Sequence, residues 1–284
     1  PAITWNMSIG EISTDIYRTD VDKNGKEELI FGSNNVLYAL EDKEVVWESY
    51  LGKEMSRELP PTVVDTSHTG NREILLGTGN NIYLLNSSGG TIWRQYMENE
   101  LTSPPEIFES GGEKYVFATS NFPNLLSIDG DLVHKNKKIE ARSFIKIEND
   151  GSDDLITGTM NIVSLSLPEL EKKWEKEGGV NSQTLILNEK GGNQKTIFRD
   201  LEGGLIALNN NNQISWKNNL DVGFYLGKYP KAVSYNFDGD KIKEIVVSGF
   251  SNDKLYFVNP DNGRVEGTTE GSRGMTAPVI TDID

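Results

Sequence analysis

One pattern of nine residues, returning at nearly even spacing, constrains this chain more than any other feature. Its clearest copy is Asp20-Val21-Asp22-Lys23-Asn24-Gly25-Lys26-Glu27-Glu28, with side-chain oxygens at the first, third, fifth and ninth places. A glycine fills the sixth place, where a tight loop needs a residue free of Cβ strain. Leu29-Ile30-Phe31-Gly32 follows, a short apolar run with the character of a strand. Alternate short oxygen ligands on a sharply turned loop gather several hard donors around one hard cation, usually Ca2+.

The pattern recurs in progressively worn forms. Asn236-Phe237-Asp238-Gly239-Asp240-Lys241-Ile242-Lys243-Glu244 keeps the spacing and runs on into Ile245-Val246-Val247. Residues 65–73 keep it with hydroxyls in place of carboxylates, which suits a turn whose polar side chains cap their own backbone amides. Residues 146–154 begin with Lys146 and retain Glu148, Asp150 and Asp154 as a weaker candidate set. The copies at 107–115 and 187–195 have lost nearly all their acids.

A second signature trails each loop. Val36-Leu37-Tyr38-Ala39-Leu40 leads to Trp47, and Ile82-Tyr83-Leu84-Leu85 leads to Trp93. Ile162-Val163-Ser164-Leu165 leads to Trp174, and Leu205-Ile206-Ala207-Leu208 to Trp216. Residues 125–129 and 255–259 repeat the element without its tryptophan, His134 standing near that place in the first of them. The period is about forty to fifty residues, the range of β-propeller blades. The expected fold is therefore all-β: a β-propeller of four-stranded antiparallel blades, with six complete repeats plus a split seventh, most simply seven-bladed. One tryptophan per blade reads as a wedge between neighbouring blades rather than as a sugar-stacking surface.

The chain in order supports that reading. Ala2-Ile3-Thr4-Trp5 looks like the last strand of a blade, and Ala277-Pro278-Val279-Ile280 like the first strand of one. Joined, they would close the ring and remove an open sheet edge. Residues 168–177 hold good helix formers, but the aligned Trp174 favours a strand there. We expect residues 1–284 to form one propeller domain. The start at Pro1 and the final Thr281-Asp282-Ile283-Asp284, a broken copy of the loop opening, suggest a segment of a longer chain.

Composition removes several function classes. Lys and Arg number 28 against 43 Asp and Glu, giving a net charge of −15. No basic stripe is present to release counterions from a phosphate backbone, so nucleic acid is not expected as a partner. The chain has no cysteine, which excludes disulfides, thiolate metal sites and a cysteine nucleophile. No apolar run approaches the roughly 18 residues of a membrane span. The two histidines, His68 and His134, are isolated from any second ligand at metal spacing.

The residues from Asp20 to Ile30 and from Asn236 to Val246 resemble the FG-GAP (VCBS, integrin α-type) β-propeller repeat. The segments ending in Trp47 and Trp93 resemble PQQ-like repeats of propeller scaffolds and quinoproteins. By the first resemblance, Ca2+ would be held by Asp20, Asp22, Asn24 and Glu28 with the Lys26 carbonyl. A second ion would be held by Asn236, Asp238, Asp240 and Glu244 with the Ile242 carbonyl. Asn236 departs from the usual first aspartate and Lys241 from the glycine. Such ions would stiffen turns between strands. An EF-hand is the obvious rival for the Asp20 loop, yet its twelfth position would be Phe31 instead of a bidentate glutamate.

The preferred function is a non-catalytic calcium-binding module, a rigid scaffold for binding or adhesion in a secreted or cell-surface protein. A protein or glycan partner would meet loops on one propeller face, with Tyr50, Met55, Arg57, Tyr96, Phe122, Phe224, Tyr225 and Phe250 as candidate contacts. The alternatives are a propeller-based enzyme, polysaccharide lyase or quinoprotein-like, and an intracellular assembly scaffold. Pyrroloquinoline quinone is not expected, because the vicinal cysteine pair common in such enzymes is absent. Few histidines and an acidic surface disfavour the lyase.

Overall fold

In a computed structural model, residues 9–56, 59–66, 72–147, 154–159, 161–177, 185–188, 194–199, 204–209, 211, 213–220, 233–236, 243–248 and 254–270 are described. They form six antiparallel sheets of four strands, each sheet built from consecutive strands, and contain no helix. The first sheet comprises β1 (Tyr17–Thr19), β2 (Glu28–Ser33), β3 (Val36–Glu41) and β4 (Glu44–Tyr50). The second comprises β5 (Thr62–Val64), β6 (Glu73–Thr78), β7 (Asn81–Leu85) and β8 (Thr91–Tyr96). The third comprises β9 (Glu106–Ser110), β10 (Glu113–Thr119), β11 (Pro123–Ser127) and β12 (Leu132–Lys135).

The fourth sheet holds β13 (Ser143–Ile147), β14 (Asp154–Gly158), β15 (Asn161–Leu165) and β16 (Lys172–Glu177). The strand around Trp174 thus forms as the sequence alignment requires, despite the helix formers. The fifth holds β17 (Leu185–Asn188), β18 (Gln194–Arg199), β19 (Leu205–Leu208) and β20 (Ile214–Asn218). The sixth holds β21 (Val233–Tyr235), β22 (Glu244–Ser248), β23 (Lys254–Val258) and β24 (Val265–Glu270). The segments assigned to a split seventh blade, 2–5 and 277–280, lie outside the described residues.

The sheets fall into two compact units, the first three in one and the last three in the other. Within each unit the middle strands explain why their sequences read as unbroken apolar runs. Side chains alternate across a strand, so neighbours in sequence serve opposite faces. In β6, Ile74 and Leu76 join Ile30, Leu37 and Ala39 of the first sheet, while Leu75 joins Val116, Ala118 and Leu126 of the third. In β19, Ile206 and Leu208 pack with Ile156 and Ile162 of the fourth sheet. Leu205 and Ala207 pack with Ile245 and Val247 of the sixth. Each fully buried aliphatic side chain contributes roughly 1.5–3 kcal/mol. Outer strands β4 and β8 expose most of their length instead.

One irregularity repeats in all six sheets. The register between third and fourth strands slips at Ala39/Leu40, Leu84/Leu85, Leu125/Leu126, Ser164/Leu165, Ala207/Leu208 and Phe257/Val258. A bulge at a fixed point turns the fourth strand and aims the side chain beside it. The side chains at that place are Trp47, Trp93, His134, Trp174 and Trp216, and the sixth sheet has Gly267 there, with no side chain to aim. Three of the tryptophans lie on a glycine in the β-turn of the following sheet: Trp47 on Gly89, Trp93 on Gly130 and Trp216 on Gly263. All three glycines have positive φ (79°, 92° and 72°), a conformation that suits glycine best. Trp93 Nε1 donates to the Ile128 carbonyl at 2.9 Å, and Trp216 Nε1 to the Pro260 carbonyl at 2.8 Å. Within each unit the tryptophans are inter-sheet wedges.

Smaller polar contacts also cross between sheets of the first unit. The Gly52 amide donates to the Tyr83 hydroxyl at 2.9 Å, and the Arg94 guanidinium lies over the Tyr83 ring. Removing that acceptor returns the amide of the exposed Gly52 to solvent. Tyr83→Phe is therefore expected to lower stability by only about 0.5–1.5 kcal/mol in denaturant unfolding, with an unchanged m-value.

Candidate metal centre

The β1–β2 loop winds tightly because its carboxylate and amide side chains accept hydrogen bonds from its own backbone. The Gly25 amide donates to Asp20 Oδ2 at 3.0 Å, the Asn24 amide to Asp22 Oδ1 at 3.0 Å, and the Lys26 amide to Asn24 Oδ1 at 2.8 Å. Lys23 and Gly25 both take positive φ (59° and 89°), the left-handed backbone of a tight turn. From the start of β2, Glu28 reaches back so that Oε2 accepts the Val21 amide at 2.7 Å. The result brings one carboxylate oxygen from each of Asp20, Asp22 and Glu28 within 4.8 Å of one another.

Two features of this cluster ask for a cation. Asp20 Oδ1 is buried and has no hydrogen-bond partner among the described residues, a costly state for a carboxylate oxygen. Glu28 is only 2% exposed. Burial pushes its carboxyl up from the ordinary 4.5, the Val21 amide works in the opposite direction, and the charges on Asp22 and Asp20 add to the rise. Three clustered carboxylates of one sign repel, and a divalent cation would relieve both the repulsion and the orphaned oxygen. The donor set is all oxygen, which suits Ca2+ or Mg2+ rather than a soft metal.

The structure also adds residues that the loop sequence does not reveal. Glu41, at the end of β3, and Asp42 face the loop from the β3–β4 turn. Asn24 Nδ2 donates to Glu41 Oε2 at 2.7 Å, and Lys26 Nζ pairs with Glu41 Oε1 and Asp42 Oδ2, both at 2.9 Å. Asp42 and then Glu41 hold the Lys26 ammonium well above its usual range. The same lysine, then Asn24, holds Glu41 below its usual range.

Of the second predicted site, Asn236 and Glu244 are described, while Asp238, Asp240 and Ile242 lie outside the described residues. Glu244 is 4% exposed and stands at the head of β22, where it pairs in register with Tyr235 as Glu28 pairs with Thr19. The weaker set is likewise incomplete: Asp154 begins β14, and Glu148 and Asp150 lie outside the described residues. In the second sheet, Glu73 Oε2 accepts the Thr66 amide at 3.0 Å, the same backward reach over seven residues that Glu28 makes. The ninth glutamate makes the same reach even in the copy whose sequence carries hydroxyls in place of carboxylates.

Expected partner contacts divide. Tyr50 and Tyr96 are 70% and 65% exposed at the ends of β4 and β8. Met55 is not a surface contact: it is buried in the core of the first unit, its amide bonded to the Asn34 carbonyl, and it anchors the connection between sheets. Phe122 is half-buried under Lys135. Arg57, Phe224, Tyr225 and Phe250 lie outside the described residues. His134 is exposed, and His68 lies outside the described residues.

No family model matches the chain, and no curated protein matches it in sequence. Solved structures do match in fold. The chain is similar to BamB from Moraxella catarrhalis (TM-score 0.65, 13% identity, covering 99% of this chain and 83% of that one). It is similar to BBS1N in complex with ARL6DN (TM-score 0.64, 11% identity, 95% and 85% covered). It is also similar to the V. cholerae biofilm matrix protein Bap1 (TM-score 0.65, 12% identity, 92% and 70% covered). The six four-stranded antiparallel sheets and these neighbours define the chain as a β-propeller. At such identities the likeness carries the fold and not the FG-GAP or PQQ-like repeat type. Among the described residues no helix is long and apolar enough to cross a membrane.

Proposed function

We propose that this propeller is a non-catalytic, calcium-binding scaffold of a secreted or cell-surface protein. It would present loops on one face to a protein or glycan partner. The observation that carries the calcium reading is the buried Asp20 Oδ1, without a hydrogen-bond partner among the described residues, beside Asp22 and Glu28. The scaffold reading draws support from neighbours of the same fold: one is complexed with ARL6DN and one is a biofilm matrix protein. Free Ca2+ outside cells is high enough to fill a site of modest affinity, whereas cytosolic levels are not. A rigid frame with exposed Tyr50 and Tyr96 offers amphipathic anchors of the kind enriched in binding surfaces.

Calcium at a hundred times its Kd should stabilise the folded chain by about 2.7 kcal/mol through mass action. Thermal melts in EDTA and in saturating Ca2+ read this as a rise in Tm. Asp20→Asn should cancel the rise and leave the EDTA melt nearly unchanged. Identical melts for the wild-type chain in the two conditions would reject calcium binding.

A further inference from the structure

We propose that Glu41 is a positioning residue for the bound cation, fixing which end of the Asn24 amide faces the ion. The proposal rests on the calcium reading above, which is supported by Asp20 Oδ1, a buried oxygen without a hydrogen-bond partner among the described residues. A side-chain amide has one end that ligates a hard cation and one that repels it, and nothing in its shape chooses between them. At Asn24 the choice is made by carboxylates on the nitrogen side. Nδ2 donates to Glu41 Oε2 at 2.7 Å and to Asp22 Oδ2 at 3.2 Å. Oδ1 is thereby turned back into the loop, where it accepts the Lys26 amide at 2.8 Å.

Glu41 is itself well placed to hold that orientation. Its other oxygen, Oε1, is paired with Lys26 Nζ at 2.9 Å, and its side chain is 17% exposed. One carboxylate therefore holds the side chains of Asn24 and Lys26, the fifth and seventh residues of the loop. Lys26 also supplies the counter-charge that keeps a further carboxylate tolerable beside three others. Because Glu41 lies at the end of β3, the end of that strand sets the affinity of a site whose expected ligands all lie between Asp20 and Glu28. Outer partners that orient ligands typically govern metal affinity by about 10–100-fold.

The test titrates Ca2+ by calorimetry into the wild-type chain, Glu41→Ala, Asn24→Asp, the double variant Asn24→Asp/Glu41→Ala, and Asp20→Asn. Tb3+ luminescence lifetimes count the inner-sphere waters, and melts in EDTA confirm that each variant folds. Glu41→Ala is expected to weaken Ca2+ binding about 10–100-fold and to add about one water to the Tb3+ complex as the amide oxygen is lost. With aspartate at position 24 either oxygen ligates, so removing Glu41 should change affinity by less than about threefold. Equal weakening in both backgrounds, or none in either, would overturn the positioning role while binding by the wild-type chain and its loss in Asp20→Asn kept the calcium reading intact. A wild-type chain that takes up no Ca2+, or Asp20→Asn binding as tightly, removes the calcium reading and the role of Glu41 with it.

Discussion

Trp216→Ala is expected to destabilise the protein by about 3–5 kcal/mol, lowering Tm by on the order of 10 °C. The indole is 8% exposed and packs with Ile197, Leu205, Ala207, Leu220, Ile245, Val247 and Val258. It also bridges two sheets of the second unit, since Nε1 donates to the Pro260 carbonyl at 2.8 Å. Truncation to alanine opens a cavity between sheets and orphans that carbonyl together. Trp216→Phe separates the two effects: it keeps most of the apolar contact and loses the donor, for a cost of about 1–3 kcal/mol. Denaturant unfolding followed by circular dichroism reads both. A Trp216→Ala variant within 1 kcal/mol of wild type would mean that the tryptophan only decorates the outer strand.

Gly130→Ala should be nearly as damaging, for the opposite reason. A Cβ at Gly130 would stand 2.6 Å from Trp93 Cδ2, far inside van der Waals contact, and φ there is +92°. Left-handed backbone costs a non-glycine residue roughly 1–2 kcal/mol, and overpacking adds about 1–3 kcal/mol. Gly111 supplies the control: its φ is +61°, yet nothing among the described residues lies within 4 Å of the site of a Cβ. Gly111→Ala should show the backbone cost alone. The surplus at Gly130 should vanish in the double variant Gly130→Ala/Trp93→Ala, a non-additivity that identifies the indole as the obstacle. Equal losses at the two glycines would show that Trp93 does not lie against Gly130.

Much of this was legible in the sequence because the period-two alternation is short-ranged and copied. Leu75 between Ile74 and Leu76 reads as an unbroken apolar run, and such runs in sheets stacked on both sides mark the middle strands. The Asp20, Asp22 and Glu28 cluster was legible for the same reason, since loop spacing alone brings these oxygens together. Glu41 was not. It lies 17 residues beyond Asn24, and only the pairing of β3 with β2 makes them neighbours. Met55 was misjudged because a loop residue between sheets looks like surface until the loop is seen to plug the core. Gly267 went unmatched to the tryptophan place because a glycine carries no side chain to mark it, although it pairs with Phe257 as Trp174 pairs with Ser164.

The doubling of roles along β6 has an evolutionary corollary. Since Leu75 answers to one neighbour and Ile74 and Leu76 to the other, a copied sheet arrives already carrying half of two separate interiors. A whole blade added to such a gene brings a matching face for each neighbour, as a whole repeat does in other repeat proteins. A change of half a blade would leave an apolar wall with nothing to meet.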